Sequence, residues 1–138
     1  MKRSNKITTI ALMIFLTTTG LFAQSKTNAT INDKAIENLK AGIVSVNLGL
    51  KKDCLYLAGK YKLNEAVPVI IEELKSTRDC GVKILAARVL YEIGNRAGLD
   101  AVRDVAIVDT TGKVKRICAA IYNAYAAETV SGYYAKSY

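Results

Sequence analysis

Two carboxylate pairs and three cysteines are the groups with which catalysis could begin in this 138-residue chain. Glu72 and Glu73 are adjacent, but neighbours on a helix point about 100° apart and do not converge on a shared proton. They read as a solvated helix face. Asp100 and Asp104 share a face at i, i+4, yet they bracket Arg103 and suit the N-terminal half of a helix, where carboxylates meet the positive end of the dipole. A thiol nucleophile needs a base or a basic pocket to ionise it. Cys118 follows Arg116 closely, but its place on an apolar stripe favours burial. The chain has no histidine, the commonest general base and a frequent metal ligand. Zinc-ligand spacing and a glycine-rich phosphate loop are also missing from the sequence. No catalytic residue, metal site or cofactor is therefore expected.

Recognition has more behind it. Lys52, Tyr56 and Lys60 recur four apart; Lys83, Ala87, Arg88 and Tyr91, and later Lys115, Arg116, Ala119 and Asn123, take the outward positions of two further helical segments. Tyr56 and Tyr91 hold matching places in their segments. Tyrosine and arginine are favoured interface anchors, because each combines a large contact area with directed hydrogen bonds. The candidate partner-binding residues are thus Lys52, Tyr56, Lys83, Arg88, Tyr91, Lys115 and Arg116. The plain alternative is that any soluble helical surface carries lysines and half-exposed tyrosines. A basic strip of this kind suits a protein partner presenting an acidic or polar segment.

The elements that must position these residues are helices. In "VKILAARVLYEIG", Val82, Leu85, Ala86, Val89, Leu90 and Ile93 recur at steps of three and four, one apolar helix face. Asp79 precedes the stripe as a candidate N-cap and Gly94 follows it as a C-terminal cap. "KVKRICAAIYNAYAA" repeats the design with Val114, Ile117, Cys118, Ile121, Tyr122 and Tyr125. "LGLKKDCLYLAG" is an earlier copy, with Leu50, Cys54, Leu57 and Ala58 inward and Gly59 closing it. Partner helices lie between: Ile36, Leu39, Ile43 and Val46 on the first, Val67, Ile70, Ile71 and Leu74 on the second, Leu99, Val102, Val105 and Ala106 on the third. Pro68 falls in the first turn of its helix, where proline costs little. Six helices in three pairs, repeating every 32 to 35 residues, predict an all-α solenoid.

The segment "AVPVIIEEL", the turn "KSTRD" and then "VKILAARVLYEIGN" together resemble a HEAT-type repeat, of the short kind also found in phycobilin-lyase-like proteins. The residues that carry the likeness are Pro68, Asp79, Lys83, Ala86 with Ala87, and Gly94. The next unit keeps Asp109, Lys115 or Arg116, and Ala119 with Ala120, but has Arg103 in place of the proline and no closing glycine; the first unit keeps Gly59. The likeness spans residues 33–127. It implies a right-handed α-α superhelix of about three helix pairs whose second helices line the concave contact surface. It implies little about function, since such repeats serve many tasks. A bilin-lyase role finds no acidic pocket in this sequence to support it.

At the N-terminus, Lys2, Arg3 and Lys6 precede an apolar stretch from Ile7 to Phe22 and then Ala23, the pattern of a secretory signal. The apolar stretch is short and diluted by threonines, against the roughly 20 apolar residues of a spanning helix. Cleavage after Ala23 is expected, with residues 24–32 as a flexible lead-in, 33–127 as the repeat domain and 128–138 as a C-terminal tail. The mature chain would be periplasmic or secreted, with no membrane span. Losing three basic residues takes the net charge from +8 to +5, with 17 Lys and Arg against 12 Asp and Glu. That is too modest for dedicated nucleic-acid binding and no base-reading motif accompanies it. Three cysteines do not make a disulfide scaffold. Cys54 and Cys118 read as buried hydrophobes and Cys80 as a surface thiol, with one bridge through Cys80 left open. The function expected is a non-catalytic protein-interaction module. The alternative is a structural protein that stacks end to end on itself.

Overall fold

A side-chain cap closes the start of four of the six described helices. The computed structural model describes residues 32–135, and side chains as far as Ser131. The expected signal (1–23) and all of the lead-in except Asn32 lie outside the described residues. Six helices follow: α1 (Asp33–Ile43), α2 (Leu48–Lys60), α3 (Val67–Ser76, entered through a short 3-10 turn at Asn64–Ala66), α4 (Cys80–Ile93), α5 (Arg96–Val108) and α6 (Gly112–Ala135). No strand occurs among the described residues. Asn32, Asn47, Asp79 and Asn95 each accept from backbone amides of the turn they open, at 2.8 Å for Ala35 N–H and Val82 N–H. These bonds satisfy amides that have no intrahelical partner. Gly94 ends α4 at φ 76°, as its position predicts.

The helices pack as pairs: α1 on α2, α3 on α4, α5 on α6. The first helices of successive pairs touch one another, and so do the second helices, which gives two layers with α4 at the centre. The core runs between the layers through Ile43, Leu55, Ile70, Leu74, Val82, Leu90, Leu99, Val102, Val114 and Cys118, all fully buried. The stripes expected on α3, α4 and α5 face this core, and on α6 Val114, Cys118 and Ile121 do, whereas Ile117, Tyr122 and Tyr125 are half-buried beside it. Close approach of α1 to α2 requires Gly42, since a β-carbon there would sit 2.2 Å from the Cys54 sulfur.

Several expectations need correcting. α1 stops at Ile43, so Val46 lies in the connection to α2 and is 99% exposed. On α2 the buried face is Cys54, Leu55, Ala58 and Gly59, whereas Leu50 and Leu57 face outward. The periodicity fitted either choice. Among the described helices, α2 packs against α1 and α4, and Leu50 and Leu57 stay 48% and 37% exposed. Gly59 does not close α2; it is buried against Val89 of α4. The closure falls to Lys62, at φ 49°, with Leu63 N–H donating to Ala58 C=O and Lys62 N–H to Gly59 C=O. This is the Schellman arrangement with lysine where glycine is usual. Finally, α6 continues past residue 127 to Ala135, so the expected tail begins within a helix.

Candidate functional site

α2 and α4 run side by side in the second layer, with Gly59 facing Val89. Above this contact the two helices leave an open groove of about 400 Å³. Its floor is Gly59, Leu85 and Val89, and its walls are Tyr56, Lys60, Lys62, Arg88 and Glu92. Three cations face one carboxylate. Tyr56 is 61% exposed, and the Lys60 ammonium lies 5.6 Å from the centroid of the Tyr61 ring. Lys62 is aimed by the left-handed turn that ends α2. An apolar floor with a basic rim and an accessible tyrosine can seat a side chain of mixed character, apolar at its base and anionic at its edge.

The seven candidate residues do not come together as one strip. Tyr56 and Arg88 meet at the groove. Lys52 is exposed one turn before Tyr56 and lies outside the groove lining, as do Lys115 and the exposed Arg116. Lys83 is not an open cation: its ammonium donates to Asp109 and its side chain is 18% exposed. Tyr91 is half-buried and donates its hydroxyl to Glu128 of α6. That hydrogen bond, with minor help from burial and the nearby acids, raises the Tyr91 pKa. Tyr56 and Tyr91 therefore match in sequence but not in role. Ala87, expected outward, is fully buried, because α4 is flanked by α2 on one side and α6 on the other. Lys62 and Glu92 are not among the candidate residues. Glu92 continues the face of Arg88 at i+4, a readable signal; Lys62 carried none, because its placement depends on a turn closed without glycine.

The acidic residues also moved. Glu73 is not on a solvated face: it is 7% exposed and accepts from the Lys51 ammonium at 2.6 Å. Asp109 is buried as well. It accepts from Lys83 and, at 2.8 Å, from the backbone N–H of Thr111. The Lys83 hydrogen bond, then that amide, hold the Asp109 carboxyl below its ordinary value against the opposing effect of burial. A depressed folded-state pKa adds stability above the unfolded value of about 4, and that stability is lost as pH falls through the folded value. Urea midpoints measured between about pH 6 and pH 3 should therefore fall more steeply for the wild type than for Asp109→Asn. Parallel acid limbs would show that the ion pair adds nothing.

Burial pushes the Cys118 thiol up to about 11 and raises that of Cys54, so both stay protonated at neutral pH. Cys80 is half-buried, with its thiol 3.8 Å from the Thr111 hydroxyl. All three cysteines are unbridged. No described helix is long and apolar enough to cross a membrane.

No protein-family model, no curated protein and no solved structure matches this chain.

Proposed function

We propose that the protein is a non-catalytic interaction module, a HEAT-like right-handed solenoid of three helix pairs that works outside the cytoplasm and holds an acidic or polar segment of a protein partner. The observation that carries this reading is the α2–α4 groove, where Tyr56, Lys60, Lys62 and Arg88 surround the floor of Gly59, Leu85 and Val89. Succession of the pairs in two layers, with second helices adjacent, supports the solenoid. Export rests on the N-terminal pattern of basic residues followed by an apolar stretch. In this reading a partner residue with an apolar stem fills the groove while a neighbouring carboxylate meets Arg88 or the lysines. Desolvated aromatic and arginine contacts of this kind dominate binding energies.

Selection of displayed 12-residue peptides on the purified domain tests the reading. Selected sequences should pair Asp or Glu with one large apolar residue. Tyr56→Ala combined with Arg88→Ala should weaken their binding by at least about tenfold, at an unchanged melting temperature, because both side chains are exposed. Peptides without acidic residues, or binding indifferent to the double variant, would discard the groove. The second reading, end-to-end stacking, draws support from the exposed aliphatic residues Val44, Val46, Leu48 and Leu50 in the first pair and Ile107 and Val108 in the third. Its signature is a size in solution that grows with concentration.

A further inference from the structure

The two buried ion pairs follow one rule. Lys51 is the fourth residue of α2 and reaches forward to Glu73, in the last turn of α3. Lys83 is the fourth residue of α4 and reaches forward to Asp109, the residue just past α5. Each time, a lysine on the second helix of one pair is covered by a carboxylate at the C-terminal end of the next pair's first helix. The side chains are 12% and 8% exposed in the first bridge and 18% and 5% in the second, so these contacts belong to the pair-to-pair seams.

Lys115 is the fourth residue of α6 and the third member of the series. It is half-buried, has no ion pair among the described residues, and belongs to the last helix pair described. At the end of α5, just before the connection to α6, Ile107 is 65% and Val108 72% exposed. The middle pair, which has a neighbour on each side, exposes no large hydrophobic side chain between residues 67 and 93. We propose that this end of the array is a docking edge for an α-helix of a partner protein, one that carries Asp or Glu in or just after its last turn beside aliphatic residues. Its carboxylate meets Lys115 as Glu73 meets Lys51 and Asp109 meets Lys83, and its aliphatic side chains cover Ile107 and Val108. A second copy of this chain is a poor occupant. The last turn of its own first helix, Lys40–Ala41–Gly42–Ile43, has no acid and brings a lysine. The site is separate from the α2–α4 groove and does not rest on it.

The probe is a helix-stapled peptide with the sequence of α3 and the two residues after it (67–78), titrated into the full chain and followed by backbone NMR. Binding should shift the amides of residues 107–116. It should weaken about tenfold when the chain carries Lys115→Gln or the peptide carries Glu73→Gln, and it should return when Lys115→Glu meets a peptide with Glu73→Lys. Lys51→Gln, measured alongside, identifies a peptide that merely displaces α3, and circular dichroism checks that each variant stays folded. Failure to bind, binding indifferent to Lys115→Gln, or shifts centred on Lys51 would overturn the proposal. Concentration-dependent self-association abolished by Lys115→Gln would overturn it too, by making a second copy the occupant. Arg88→Ala, which belongs to the groove, should leave this binding unchanged, so the two sites can fail independently.

Discussion

Replacing Glu73 by alanine is expected to destabilise the fold by about 3 kcal/mol, because it strands the Lys51 ammonium in the seam between the first two helix pairs. The bond is 2.6 Å long and both side chains are nearly shut off from water. Breaking one partner of such a pair costs far more than the pair itself contributes, since the remaining charge keeps its desolvation cost and loses its compensation. For a domain of this size, the loss lowers the melting temperature by roughly 15 °C. Two comparisons make the test sharp. Glu37→Ala, which removes the exposed 2.9 Å bridge to Lys40, should cost less than about 1 kcal/mol. Lys51→Met with Glu73→Leu should recover most of the loss, because an apolar pair of similar volume fills the seam without a charge. If Glu73→Ala costs no more than Glu37→Ala, Lys51 reaches water in the variant and the seam is not closed.

The second large effect is expected at Leu90. It is fully buried on α4, the helix that touches α2, α3, α5 and α6. A β-carbon built at Gly98 of α5 would lie 2.8 Å from its Cδ2, so the two helices meet at this side chain. Leu90→Ala should cost about 3 kcal/mol, the sum of lost transfer energy and an unfilled cavity, in a domain whose whole stability is of order 10 kcal/mol. Leu57→Ala, at a side chain 37% exposed on α2, should cost under about 1 kcal/mol even though the same residue type is removed. Gly98→Ala adds a diagnostic. Alone it crowds Leu90 and destabilises; combined with Leu90→Ala the methyl enters the vacated space, so the two changes should not add. Urea denaturation of the four variants measures all of this. Additive costs would mean that α4 and α5 do not meet at this point.

The groove shows how far sequence reasoning reached. Tyr56, Lys60 and Arg88 were readable as outward residues on α2 and α4, because helical periodicity places them opposite buried partners. Lys83 and Tyr91 satisfied the same periodicity and were still misplaced as open surface. Periodicity assigns a residue to a side of its own helix. It does not reveal whether a later helix covers that side, as Asp109 covers Lys83 and Glu128 caps Tyr91. Glu73 went astray for the same reason: nothing local to "IIEELK" marks which of two adjacent glutamates meets a lysine 22 residues earlier.

By itself the sequence determined the helices of this protein, the two caps of α4 at Asp79 and Gly94, and the apolar faces of α3, α4, α5 and part of α6. These depend on interactions within a few residues, where steps of three and four and a capping Asp or Gly suffice. The tertiary structure alone decided which edge of α2 is buried, where α2 ends, and which charges are sealed in the seams. Each of these depends on contacts between helices far apart in the chain, so the energy that settles them is absent from any local window. The same distinction separates Lys115 from its two predecessors. All three occupy one place in their helices; Lys51 and Lys83 meet a carboxylate of the next described pair, and Lys115 meets none among the described residues.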